Sequence, residues 1–322
     1  MWQVYQPMQL LALHYPEFDH FWQIEMDVRF LGDAGKYLDA LARTARNDPR
    51  KQALERSMFW HMISEIGSFG ELARAVDEVN AGGSFAWGPL PVPEISPIGP
   101  EPPVADPRDD DFQWGVGEEA DAIVTSYCMN ADKPGNTWSF RDWMGGLSTD
   151  PKPPRFYCPP AIQRASRNLL FVIHQAQLEQ GIYVPSEATL PTFALWHGLK
   201  LSFPQHPVFH REKDDFEMKP QWWRGGPQKS STGLGPDEPS HPRGLGLTFW
   251  WESDWPREIF SHFMGVAPKG EPRPWLLYDL DGKIWAPNVV LHPVKHLPED
   301  EEAAEGEAAG EESNSQAHQG KN

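Results

Sequence analysis

Two carboxylates one residue apart, Glu25 and Asp27, directly follow the aromatic and β-branched run Phe21-Trp22-Gln23-Ile24. Residues i and i+2 of an extended chain point the same way, so both acids can reach one cation at the end of such a strand. Hard oxygen ligands of this kind suit Mg²⁺ or Mn²⁺ carrying a nucleoside diphosphate, and the ion would stabilise negative charge growing on a leaving diphosphate. Arg29, two residues further on, can add a phosphate contact. An acid-x-acid triplet also marks ordinary solvated turns, so the spacing alone leaves both readings open. Two more side chains qualify. His197 sits at an expected helix end, where a neutral imidazole is either a third metal ligand or a cap on the last carbonyls. Glu187, before the same helix, is either a base that activates an acceptor hydroxyl or plain negative charge at a helix N-terminus. Glu252-Ser253-Asp254, among Trp250, Trp251 and Trp255, is a rival acid-x-acid site.

The elements that position these residues can be read from periodicity. The run Met8 to Leu13 reads as a short buried helix ended near Pro16, and Phe21 to Ile24 as a strand that stops at charge. Helical spacing covers about 34–46, with Leu38, Leu41, Ala42 and Ala45 on one face, then about 50–61 and 69–79. Eight prolines in the twenty-four positions 88–111 preclude regular structure there, predicting a long extended loop that serves as a lid or is merely an insertion. A strand is expected at 122–127. The longest helix is expected at about 160–180, opened by Pro159 and Pro160, closed by Gly181, with Ile162 and Leu169 inward. A short apolar helix at 189–197 closed by Gly198, a strand at 199–203, a Gly/Ser/Pro-rich loop at 225–244 and a strand at 245–251 follow. Strands separated by helices favour an α/β fold.

Composition removes several classes. The chain has 322 residues and a net charge of -18, of which eight acids from Glu299 onward against Lys321 put -7 on the tail and -11 on the body. With no dense Lys/Arg stripe, nucleic acid is not an expected partner. The acidic tail 299–322 is low in complexity and is expected to be disordered. No stretch reaches the roughly 18 apolar residues of a membrane span, and the first residues lack a basic and then apolar leader pattern. Cys128 and Cys158 are too few for a zinc site of four thiolates and are either two free thiols or one disulfide. G-x-S-x-G, H-E-x-x-H and Walker signatures are absent, and Gly115-Val116-Gly117 lacks the strand and third glycine of a dinucleotide loop.

The segment Phe21 to Gly32 resembles the tryptophan–acid–x–Asp–x–Arg signature of a fungal family called domain of unknown function 3405. The run Gln6-Pro7-Met8-Gln9-Leu10, the acids Glu118-Glu119-Ala120-Asp121, the stretch Arg164 to Leu170, and Thr192 to Lys200 followed by His206-Pro207-Val208 resemble its further blocks, in its order. The resemblance covers most of residues 1–298, taken as one α/β domain. That family is similar to glycosyltransferases of the GT-A type, whose acid-x-acid motif holds a divalent metal and a nucleotide sugar. It implies a GT-A-like mixed sheet flanked by helices, Glu25 and Asp27 as metal residues, Mn²⁺ or Mg²⁺ as cofactor, and a nucleotide sugar and a glycan acceptor as partners. It also implies a Golgi or other secretory membrane. Only 24 residues precede Glu25, whereas family members carry a long region there, so the nucleotide-binding part is expected to be incomplete, through truncation or loss of catalysis. The segment Phe30-Leu31-Gly32-Asp33 departs from the family's aromatic, Thr, Gly, His sequence. The rival expectation is a non-catalytic binding or interaction protein.

Overall fold

The aromatic run pairs as expected, and its hydrogen-bonding partner organises half of the protein. The computed structural model describes residues 4–31, 33–57, 69–126, 128–132, 138–204, 208–209, 246–249, 255–273, 278–280, 283–285 and 289–292. Among these the helices are α1 (Gln6–His14), α2 (Ala34–Asn47), α3 (Ala53–Ser57), α4 (Phe69–Val79), α5 (Arg167–Glu179), α6 (Ser186–Trp196) and α7 (Trp255–Phe263). The strands are β1 (His20–Ile24), β2 (Arg29–Leu31), β3 (Ala122–Val124), β4 (Met129–Asn130), β5 (Phe156–Tyr157) and β6 (Ile162–Ser166). They continue with β7 (Leu201–Ser202), β8 (Val208–Phe209), β9 (Gly246–Phe249), β10 (Tyr278–Leu280), β11 (Lys283–Trp285) and β12 (Val289–His292). The architecture is mixed α/β.

One four-stranded sheet runs β1-β6-β3-β7, antiparallel except where β3 meets β7, and α1, α2, α5 and α6 pack around it. A second runs β2-β12-β9-β8, with β12 antiparallel to β2 and parallel to β9. The chain crosses from the first sheet to the second through the four residues Glu25 to Val28, closed as a turn by the Val28 N–H donating to the Glu25 carbonyl at 3.1 Å.

The helix expected over 160–180 begins only at Arg167. Ile162 to Ser166 instead form β6, buried at every position, with β1 on one side and β3 on the other. Two ladders satisfy the backbone groups of Gln163, Arg164 and Ala165, and that pairing outweighs their helical propensity. Ser166 then caps α5 by accepting from Leu169 N–H at 3.1 Å while its hydroxyl donates to Asp121 at 2.8 Å. The Pro-rich stretch 88–111 carries only a 3₁₀ turn at Pro107–Asp109, and it is tied down where Leu90 and Gly99 donate to the carbonyls of Leu195 and His197. The strands expected at 122–127 and 199–203 shorten to β3 and β7. No described helix is long and apolar enough to cross a membrane. The loop 225–244, the triplet 252–254 and the tail 299–322 lie outside the described residues.

Helix α6 is the centre of the core, apolar and buried on nearly every side. Pro191 lacks an N–H, so the carbonyl of Glu187 four residues earlier has no helical partner and instead accepts from Cys158 N–H at 2.9 Å. One turn on, the Thr192 hydroxyl accepts from Phe156 N–H at 3.0 Å and donates to the Phe156 carbonyl at 2.9 Å. These bonds fix the β5 segment to α6, and Cys158 is further joined to Cys128, so the two cysteines form one disulfide. Gly198, at φ +67°, ends α6, with Leu199 N–H returning to the Ala194 carbonyl at 2.7 Å.

Lys200 follows, fully buried, its ammonium donating to the carbonyls of Arg46, Gly115 and Glu118 at 3.0, 2.6 and 2.8 Å. Burial lowers its pKa to about 8. Replacing it, as Lys200→Met, removes all three charge-assisted bonds, and although the Arg46 and Gly115 carbonyls still accept from the Gly117 and Glu118 N–H groups, the loss should cost about 3 kcal/mol by denaturant unfolding. Between about pH 8 and 10.5 the unfolded chain holds a proton that the folded lysine has released, so wild-type stability should rise with pH relative to Lys200→Met. Equal pH slopes in the two proteins would contradict this assignment.

Candidate functional site

The turn between the sheets carries both acids of the triplet. Glu25 is anchored through its N–H to the Ala161 carbonyl at 3.0 Å, which continues the β1–β6 ladder by one residue. Arg29 folds back onto the turn: one guanidinium nitrogen donates to the carbonyls of Met26 and Val28 at 2.6 and 2.9 Å, and the group lies 5.8 Å from the Phe260 ring centre. Arg29 therefore braces the motif, and only its remaining N–H groups are left for the expected phosphate contact.

The third member comes from the far end of the sequence. Because β12 runs antiparallel to β2, its C-terminal residue emerges beside the start of β2 and hence beside the turn. That residue is His292, 1% exposed, whose Nε2 lies 2.8 Å from Glu25 Oε2 and 3.4 Å from Asp27 Oδ1. One ligand atom from each of Glu25, Asp27 and His292 falls within 4.8 Å of the others, so the trio could hold a metal ion. Two carboxylate oxygens and an imidazole suit a small divalent cation.

His197 is not part of this cluster, which among the described residues consists of Glu25, Asp27 and His292. It occupies the C-cap of α6, ten residues and so about 15 Å along the helix from Glu187. Its ring stacks on Phe193 at 6.4 Å, and burial lowers its pKa to about 4, which keeps it neutral. Its ring packs against the core there, while its backbone N–H donates to the Phe193 carbonyl at the helix end.

Glu187 lies near enough to Glu25 for that charge to act on it. Burial pushes its carboxyl up, the negative charge of Glu25 adds to the rise, and the Trp138 indole N–H, donating at 2.7 Å, opposes it. Trp138 lies flat on Tyr157, ring centres 4.2 Å apart and planes within 4°. Tyr5, a buried residue without a sequence signal, feels the charge of both acids. Its hydroxyl donates to Gln163 Oε1, and burial together with the charges of Glu25 and Glu187 raises its pKa well above the usual phenol value. The site thus combines a cation-sized cluster of acid and imidazole, a phenol, and a separate carboxyl biased toward holding a proton.

Against this geometry, the family described as Protein of unknown function (DUF3405) matches residues 1–296, and the chain belongs to that family. No curated protein and no solved structure matches the sequence.

Tyr5, Trp138, Tyr157 and His292 lacked a motif. His292 had a weak sign, the apolar run Val289-Val290-Leu291 ending in a histidine before Pro293. If the trio binds a divalent cation, calorimetric titration of Mn²⁺ should show His292→Ala weakening binding at least tenfold, in line with loss of a metal-supporting group. His197→Ala should leave Mn²⁺ affinity unchanged, and the reverse pattern would restore the sequence-based assignment.

Proposed function

We propose that this protein is a divalent-metal-dependent transferase of the GT-A type that moves a sugar from a nucleotide sugar to a glycan hydroxyl. The observation that carries the reading is the acid-x-acid turn at the end of β1, met by an imidazole from β12 with Glu187 close enough to respond to the charge of Glu25. Glu25, Asp27 and His292 would hold Mn²⁺ or Mg²⁺, which supplies positive charge to the diphosphate as it leaves. Glu187 is the proton acceptor for the attacking hydroxyl. A base must give up its proton at working pH yet keep affinity for another, and a carboxyl raised by burial meets that need better than an exposed one. Trp138 holds that carboxylate in place through its indole N–H, and its stacking on Tyr157 restrains the indole in turn.

With Mn²⁺ present, one member of a panel of nucleotide sugars should raise the melting temperature, and Glu25→Ala should abolish the rise. No shift with any donor in the presence of bound Mn²⁺ favours a non-catalytic binding protein instead. Once the donor is known, Glu187→Gln should lower kcat by about 10²–10⁴ while leaving Mn²⁺ affinity intact. The wild-type rate should fall as pH drops through a pKa above the ordinary carboxylate range, and that limb should vanish in the variant.

A further inference from the structure

Strand β5 separates two different environments. Successive side chains of a strand face opposite ways, so Tyr157 turns toward Trp138 and Glu187 while Phe156 turns to the other side. On that other side lies a cavity of about 350 Å³, open to solvent, within the range of small-molecule sites. Leu54, Phe85, Phe156 and Cys128 give it apolar walls, and Glu55 from α3 reaches it along with Asn80 and Asn130. The Phe85 and Phe156 rings meet edge to face at 4.7 Å, and Phe85 is 45% exposed.

Glu55 is the anomaly. It is 7% exposed, and one of its carboxyl oxygens accepts from Phe85 N–H, which holds the side chain at the cavity wall. Among the described residues no ion pair reaches it. The adjacent Arg56 is committed to Asp48 and to the Pro49 carbonyl. Burial accordingly pushes the Glu55 carboxyl up. The Arg56 charge acts on Glu55 only from a distance, since its guanidinium is bonded elsewhere; a buried acid with no ion-pair partner is costly, and the open cavity beside it is where a closer charge can arrive. Aromatic rings at the wall add a second feature that attracts cations, and the chain's net charge of -18 raises their local concentration.

We propose that this cavity is a second ligand site, for a small organic ammonium with an apolar body, its charge set against Glu55 and its body among Leu54, Phe85 and Phe156. The site is separate from the carboxylate–imidazole cluster and does not depend on the transferase reading. The test is calorimetric titration of the full chain with benzylammonium and with its neutral counterpart, benzyl alcohol. Benzylammonium should bind at least tenfold more tightly, the scale of one charge-assisted hydrogen bond. Glu55→Gln, which keeps an acceptor for Phe85 N–H, should erase that preference. Phe85→Ala, at an exposed ring, should weaken benzylammonium several-fold without unfolding the chain, which keeps the question open to measurement should Glu55→Gln fail to fold. Equal affinity for the two probes, no binding of either, or an undiminished preference in Glu55→Gln would overturn the proposal.

Discussion

The structure turns on a four-residue crossing between two sheets. Glu25 to Val28 must leave one ladder and enter another, and Glu25, Asp27 and His292 are gathered at that seam. Neither sheet alone would assemble the cluster. The first sheet fixes Glu25 through the Ala161 carbonyl, and the second delivers His292 through the antiparallel register of Leu291 with Arg29. The acids are partly buried and the imidazole fully so, which strengthens the polar contacts among them relative to bulk water.

A second set of polar bonds positions the rest of the site from the opposite side. Pro191 frees the Glu187 carbonyl, Thr192 clasps the Phe156 peptide, and the disulfide joins Cys158 to Cys128. Together they hold β5 against α6, so that one strand presents Tyr157 to Trp138 and Glu187 while turning Phe156 toward the cavity at Glu55. A proline inside a helix is normally a defect. Here the unmade helical bond is the attachment point for a neighbouring segment.

Much of this was legible in the residues because local chemistry decided it. Aromatic and β-branched residues marked β1 and amphipathic spacing marked α2, while the two acids, expected on one face of an extended chain, sit in the turn after β1. The expected helix at 160–166 failed where tertiary pairing won: Gln163, Arg164 and Ala165 are tolerant of helix, and only the presence of β1 and β3 makes them a strand. His292 was hidden for a related reason. It lies 267 positions beyond Glu25, and only the sheet register, which no local pattern encodes, brings them together. His197 was ambiguous because a histidine after an apolar helix looks alike whether it caps or coordinates.

The most direct measurement is an anomalous-scattering map from crystals of this protein grown with Mn²⁺. The account predicts a single strong peak bounded by Glu25, Asp27 and His292, in place of the direct contact between His292 Nε2 and Glu25 Oε2 at 2.8 Å. A map in which that contact stays closed, with no peak at the sheet crossing, would contradict it.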